Sequence, residues 1–237
     1  MTYSESVAAA PPGAAEFGRA DLERLPADVL ERLLERVPED EWRLLEAGDD
    51  PAARRVVRAL FWDLVYHLRP ERWDELSRAE PVHPGVLEAL PADGARVLEI
   101  AAGSGRLTVE LAPRARSLIA IEPAGPLREI LRGRLPGIAV LDATAEELPV
   151  AGGWADLTVS CASLGPDPRA LRELERCTRP GGTLALVSPM DPGWFEAHGW
   201  RRLSFDPREV PIPPHDPSLE AFFGPLNPPH ELLLKAQ

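Results

Sequence analysis

The chain has 237 residues, 44% of them hydrophobic, and a formal net charge of −12. This length and apolar content allow a sizeable core, in one elaborated domain or in one domain with a helical appendage. The acidic balance disfavours a nucleic-acid partner, because a phosphate backbone is bound by a surplus of Lys and Arg.

No apolar run is long enough to span a bilayer, and the first 20 residues lack the pattern of a secretion signal. We therefore expect a cytoplasmic protein without a membrane partner. The two cysteines have no C-x-x-C spacing, and the five histidines have no H-x-x-x-H or H-x-E spacing. Neither a disulfide framework nor a metal site is predicted.

The first part of the chain is dominated by helical patterns. Residues 1–20 show no apolar period and indicate a flexible leader. Residues 21–93 carry apolar side chains at helical spacing, and the widest apolar stripe must be buried against another part of the molecule. Helices are predicted at about 25–37, 39–47, 51–68, 71–78 and 85–90. We predict that 21–93 form a helical cap preceding an α/β domain over 94–237.

A buried strand and a glycine-rich turn open this α/β region. The apolar run 95–100 leads into five small residues, Ala101-Ala102-Gly103-Ser104-Gly105, and a helix follows at once. Small side chains let the backbone approach a ligand, and the helix start presents unpaired N–H groups, so a nucleotide-like ligand is expected. The dinucleotide pattern G-x-G-x-x-G fails because its third position is Thr108. That failure argues against a nicotinamide-dependent oxidoreductase.

Further strands follow in order, and most end in a polar residue. They are predicted at 117–121 before Glu122, at 138–141 before Asp142, at 155–160 ending in Ser160, and at 183–187 after the turn Arg179-Pro180-Gly181-Gly182. Two more are predicted at 200–205 and 231–235, separated by the proline-rich stretch 207–229. This alternation predicts an α/β fold with a doubly wound, mostly parallel, seven-stranded sheet that binds ligands at the carboxyl ends of its strands.

The spacing Glu99-x-Ala101-x-Gly103-x-Gly105 resembles the E/D-x-G-x-G-x-G signature of class I S-adenosylmethionine-dependent methyltransferases. Later segments resemble the same family in order: its ribose acid, its D-A-x-x-L-P adenine segment, its D-L-x-V-S strand and its R-P-G-G turn. The resemblance covers 95–188 and is nearest to small-molecule enzymes of the ubiquinone/menaquinone methyltransferase type. It implies the Rossmann-like methyltransferase fold, S-adenosyl-L-methionine as cofactor, and in-line methyl transfer to O, N or C of a small-molecule acceptor.

The resemblance also implies which residues contact the cofactor. They are Glu99, Ala101, Gly103, Gly105, Glu122, Pro123, Asp142, Ala143 and Ser160. Glu99 is expected to face the amino acid part of the donor, and Glu122 to accept from the ribose hydroxyls with its two oxygens. Asp142 is expected near the adenine. Alanine at 101, in place of the first glycine, suits most turn geometries unless φ must be positive.

No general base stands out among the motifs. The family often has a His shortly after the fourth strand, and 161–167 contain none. His83 is the candidate catalytic base, against the alternative of a solvated His before a proline in a linker. The alternative function is a catalytically inactive S-adenosylmethionine-binding regulatory or partner subunit, which Ala101 and the missing His would favour. The sequence predicts neither the acceptor nor the oligomeric state.

Overall fold

The structure is a computed structural model that describes residues 2–237. The helices before the first strand are short. They are α1 (Tyr3–Ala9), α2 (Arg19–Leu22), α3 (Ala27–Leu34), α4 (Glu39–Glu46), α5 (Asp50–Ala59), α6 (Phe61–Leu68), α7 (Pro70–Ala79) and α8 (Pro84–Ala89). Within 2–237, no helix is both long enough and apolar enough to cross a bilayer.

The rest of the chain alternates strands and helices. In order these are β1 (Arg96–Ile100), α9 (Thr108–Leu111), β2 (Ser117–Ile121), α10 (Gly125–Arg134), β3 (Ala139–Leu141), β4 (Ala155–Cys161), α11 (Pro168–Cys177), β5 (Thr178–Val187), α12 (Pro192–Ala197), β6 (Arg201–Ser204), α13 (Ser218–Phe223) and β7 (Glu231–Ala236). The proline-rich stretch thus contains α13.

The seven strands form one sheet in the order β3-β2-β1-β4-β5-β7-β6. Strand β7 is antiparallel to β5 and β6, and the other pairs are parallel. The predicted doubly wound, mostly parallel sheet is therefore confirmed. The strand order reverses between β1 and β4, and the crevice at the carboxyl ends there is the switch point where such sheets bind ligands.

Both faces of this sheet are buried. Val97 belongs to a core cluster on one face, and its neighbour Leu98 belongs to a second cluster on the other. Alternate side chains of a strand point to opposite faces, so a near-continuous apolar run is what a sheet covered on both sides requires. The predicted turn at 179–182 lies inside β5 as a bulge, because Ala155 pairs with Thr178 but Leu157 pairs with Thr183.

The described chain forms two compact units. One comprises the chain up to Leu76 with Pro214–Leu226, and the other comprises Ser77–Pro213 with Asn227–Gln237. The sequence placed the division at 93/94 instead. Helix α8 belongs to the sheet-containing unit because Val86 and Leu90 are fully buried in the same cluster as Val97.

The helical unit buries the stripe that the sequence predicts along 51–68. Leu60, Phe61 and Leu64 are each at most 1% exposed. The stripe lies on two helices rather than one, because Leu60 leaves helical geometry with φ −101° and ψ 14°. The following helix therefore begins a new turn at Phe61.

The segment for which the sequence indicates a flexible leader has local structure here. Helix α1 begins with a capping box in which the Glu5 carboxylate accepts from Thr2 N–H at 2.7 Å. Phe17 is buried and packs edge-on against Phe61 and Phe222 of the same unit. A single aromatic anchor and a two-residue cap carry too little periodicity to be found by composition.

Candidate cofactor site

The glycine-rich loop after β1 carries backbone strain at its first residue. Ala101 has φ 53°, and Gly103 and Gly105 have φ 59° and 103°. Alanine suits most turn geometries unless φ is positive, and at Ala101 φ is positive. A left-handed conformation costs a non-glycine residue about 1–2 kcal/mol. At Gly105 an added Cβ would also lie 2.7 Å from Leu131 Cδ1.

Glu122, directly after β2, is linked to this loop. Its Oε2 accepts the Gly103 N–H at 2.7 Å, and its Oε1 accepts the Ala124 N–H at 2.8 Å. Burial raises the pKa of this carboxyl, while the two N–H bonds and the Arg128 guanidinium oppose the rise. Each carboxylate oxygen retains a second lone pair. Glu122 can therefore hold the loop and still accept a hydrogen bond from a ligand.

Glu99, in β1, is 1% exposed, and its Oε2 has no hydrogen-bond partner within 2–237. Burial raises its pKa to about 8, the Thr108 hydroxyl favours the charged form, and the Glu122 carboxylate disfavours it. The Ser104 hydroxyl in the loop is also buried without a partner among the described residues. A buried polar atom without a hydrogen-bond partner costs free energy. Two such atoms beside one loop therefore indicate that a polar ligand forms hydrogen bonds with them.

Arg128 on α10 organises the ends of β2 and β3. Its guanidinium donates to the carbonyls of Glu122 and Pro123 at 2.8 and 2.7 Å, and it pairs with Asp142 at 2.6 Å. The Asp142 side chain remains 64% exposed, and the adjoining Ala143 packs partly buried against the core. The structure thus brings Pro123 and Asp142 together through a residue that the sequence analysis did not single out.

The end of β4 is polar but unreactive. Ser160 Oγ and Ser163 Oγ are hydrogen-bonded at 2.5 Å. Burial raises the pKa of the neighbouring Cys161 thiol to about 12. A thiol with that pKa stays protonated at neutral pH and is a poor nucleophile. Nothing at this strand end acts as the missing base.

His83 has a structural task in this arrangement. It caps α8, where its Nδ1 accepts the Gly85 N–H at 2.9 Å. A neutral ring whose Nδ1 accepts must carry its proton on Nε2, which lies 3.6 Å from Glu209 Oε2. Neither ring nitrogen then offers the free lone pair that a general base needs. The geometry gives no support to the catalytic role expected for His83.

A buried ion pair also lies beside the loop. Arg106 Nη2 is 3.3 Å from Glu80 Oε2, and the two side chains are only 9% and 11% exposed. Sequence reasoning missed this pair because the partners are far apart in the chain and neither belongs to a motif. The only local signal is the position of Arg106 directly after Gly105.

The charges at this edge suit a cationic ligand with hydroxyl groups. Glu99 and Glu122 are both buried, whereas the buried Arg106 is already paired with Glu80. An opposite charge brought beside a buried carboxyl favours its ionised form and offsets the cost of burial. A ligand with an ammonium group and a vicinal diol would match Glu99 and Glu122 respectively.

Comparisons with known proteins agree with this chemistry. Residues 97–182 match a family model described as a methyltransferase domain. An uncharacterized methyltransferase of Mycobacterium tuberculosis is 39% identical over 115 residues, which cover 47% of each chain. A demethylmenaquinone methyltransferase of Beutenbergia cavernae is 34% identical over 117 residues, which cover 47% of this chain and 49% of that protein. The chain thus spans about half the length of these curated relatives.

A solved structure extends the likeness at the level of the fold. A chain from the complex between the Haloferax volcanii Trm112 methyltransferase activator and a methyltransferase has a TM-score of 0.50. The identity is 17%, and the match covers 71% of this chain and 92% of that chain. Sheet order, loop and the matched family model lead to one conclusion: residues 97–182 are a methyltransferase domain similar to those of class I enzymes, which use S-adenosylmethionine as cofactor.

Proposed function

We propose that this protein transfers a methyl group from S-adenosylmethionine to an oxygen, nitrogen or carbon atom of a small-molecule acceptor. The observation that carries the proposal is the pair of buried carboxyl groups of Glu99 and Glu122, placed at adjacent strands beside the glycine-rich loop. Glu122 is joined to the loop itself through Gly103. The unpartnered Glu99 Oε2 gives this site a second attachment point.

Each residue then has a distinct part in binding the donor. Glu122 accepts from the ribose hydroxyls with its remaining lone pairs, and Glu99 faces the amino acid part. Asp142 and Ala143 border the adenine, and Gly103 and Gly105 let the backbone come close. Pro123, Ala101 and Ser160 complete the cofactor surface. When bound, S-adenosylmethionine supplies an activated methyl group, so alignment and exclusion of water are the main tasks of the protein.

We assign no general base. An in-line displacement at a methyl group requires proton removal only from an acceptor that carries a proton, and an acceptor already ionised requires none. His83 Nδ1 is occupied by the Gly85 N–H, and the Cys161 thiol is neutral at physiological pH. The residues named here bind and align, and the donor carries the reactivity.

A small molecule is the acceptor class that best fits the charge of the chain. A net charge of −12 repels a nucleic-acid backbone. The similarity to a demethylmenaquinone methyltransferase also favours a small acceptor. We propose a cytoplasmic location, in keeping with Cys161 and Cys177, which are both free thiols.

Donor binding is tested by calorimetric titration of the purified protein with S-adenosylhomocysteine. Glu122→Ala should weaken binding about tenfold to a hundredfold, because a hydrogen bond to a charged group contributes about 1.5–3 kcal/mol. Glu129→Gln is the matched control, since the Glu129 side chain is 74% exposed on the neighbouring α10. Equal affinity in Glu122→Ala and the control would remove Glu122 from the site.

Transfer is tested with methyl-labelled S-adenosylmethionine and a metabolite extract. We expect label in the small-molecule fraction, accompanied by S-adenosylhomocysteine. Label that is released only by nuclease or protease would replace the small acceptor with a macromolecule. Tight donor binding without S-adenosylhomocysteine formation in any fraction would instead support the inactive partner subunit.

A further inference from the structure

The buried Glu80–Arg106 pair joins three separate stretches of chain. Arg106 directly follows the glycine-rich loop, and Glu80 follows α7. The second oxygen of Glu80, Oε1, accepts the Asn227 N–H at 2.7 Å. One carboxylate therefore holds both the loop and the segment that leads into β7.

Two of these stretches lie where the chain passes between the compact units. The chain crosses from one unit to the other after Leu76, after Pro213 and after Leu226. Glu80 follows the first crossing closely, and Asn227 is the first residue after the third. The same two stretches are joined again by the His83 N–H, which donates to the Pro229 carbonyl at 2.8 Å.

The Glu80 carboxylate, the Arg106 guanidinium and the Asn227 N–H depend on one another. Burial raises the pKa of Glu80, while Arg106 and the Asn227 N–H oppose the rise. Removing one partner of a buried ion pair leaves an uncompensated charge, which is strongly destabilising. A movement of Arg106 with the loop therefore changes the bond that Glu80 makes to Asn227.

We propose that Glu80 and Arg106 are positioning residues that couple the donor-binding loop to the chain crossings at 76/77 and 226/227. The inference rests on the proposed donor site, since the loop must hold the donor for the coupling to have a function. Donor binding reduces the motion of the loop, and Arg106 then holds Glu80 in place through the ion pair. The chain at both crossings becomes more ordered as a result.

The test combines calorimetry with hydrogen exchange, using S-adenosylhomocysteine as the probe. In the wild-type protein, saturating ligand should slow exchange at least threefold in 77–83 and at Asn227. Glu80→Gln keeps an oxygen for the Asn227 N–H but removes the charge. We expect it to weaken ligand binding about threefold to tenfold and to abolish the added protection at both crossings, while protection of 101–106 remains.

Arg106→Met removes the other partner of the same ion pair. The double variant, Glu80→Gln with Arg106→Met, should therefore bind the ligand no more weakly than either single variant. Asp93→Asn is the control, because it removes a solvent-exposed partner of Arg114 in the same unit. Arg106→Lys keeps the charge and can still pair with Glu80, so it should retain part of the ligand-induced protection. Arg106→Met serves as the second variant if Glu80→Gln does not fold.

Wild-type affinity together with wild-type protection in Glu80→Gln would overturn the coupling, and so would strictly additive losses in the double variant. If Arg106→Met is used, full retention of ligand-induced protection at both crossings overturns it. Absence of ligand binding in the wild-type protein is a different result, since it would refute the proposed donor site as well.

Discussion

Replacing Glu99 with glutamine should change how stability depends on pH. Glu99 is 1% exposed, and its pKa is about 8 in the folded protein, against an ordinary value of 4.5. Between these two values the folded chain holds a proton that the unfolded chain has released. The stabilisation from this group is therefore complete below about pH 4.5 and is lost as pH rises through about 8.

The size of the effect follows from the pKa shift. One pKa unit corresponds to about 1.4 kcal/mol, so this group lowers the free energy of unfolding by about 1.4 kcal/mol per pH unit over most of the range. From pH 5 to pH 8 the sum is about 3–4 kcal/mol. Glutamine has nearly the same shape and does not titrate, so Glu99→Gln lacks this dependence.

Urea denaturation of both proteins at pH 5, 6, 7 and 8 measures the effect. The difference in unfolding free energy, variant minus wild type, should grow by about 3–4 kcal/mol across the series, because contributions of groups that do not interact with Glu99 cancel. Glu129→Gln, which changes an exposed carboxylate, is the control. A flat difference for Glu99→Gln would show that Glu99 titrates normally, and the assignment of a buried, neutral acid at this site would be wrong.

Three smaller predictions concern the loop and α8. Ala101→Gly should raise the free energy of unfolding by about 0.5–1 kcal/mol, as relief of strain at φ 53° exceeds the entropy cost of glycine; an unchanged melting temperature would contradict the strain. Gly105→Ala should destabilise by about 1–3 kcal/mol, because its Cβ meets Leu131 at φ 103°; a thermal melt at the wild-type temperature would disprove this. His83→Ala should lower the free energy of unfolding by about 1 kcal/mol because the helix cap is lost, and His83→Asn should retain most of this stability. Neither variant should change the donor affinity measured by calorimetry.

The sequence was sufficient for the sheet and for the identity of the residues that lie where its strands end. Apolar runs mark β1 and β2 because both faces of the sheet are covered, so nearly every position in a central strand must be apolar. Where each run stops, the backbone must turn at the carboxyl edge. Strand order alone is therefore enough to predict that Glu122 lies beside Gly103, and the Gly103 N–H donates to its carboxylate.

Contacts between distant segments could not be predicted in the same way. Arg128 and Arg106 are two of many arginines, and only the fold shows that one holds Asp142 and the other Glu80. The unit boundary near Leu76 also depends on packing, since the helical pattern of α8 is the same whichever core buries it. A helical period in the sequence indicates that one face of a helix is apolar. Which part of the molecule packs on that face depends on the tertiary structure.

Ala101 shows why the carboxyl edge of the sheet departs from local sequence preference. Its φ is positive, and so are those of Ala162 after β4 and Ser188 after β5, at 53° and 43°. These strands are neighbours in the sheet, so the strain lies along one edge at the switch point. Each residue bends the chain as its strand ends, and Ala162 N–H still donates to the Val187 carbonyl at 2.8 Å. Strain of this kind persists only where surrounding structure determines the conformation, and it gathers at functional sites. The edge whose conformation local sequence preference disfavours most is therefore the edge at which we propose that the donor binds.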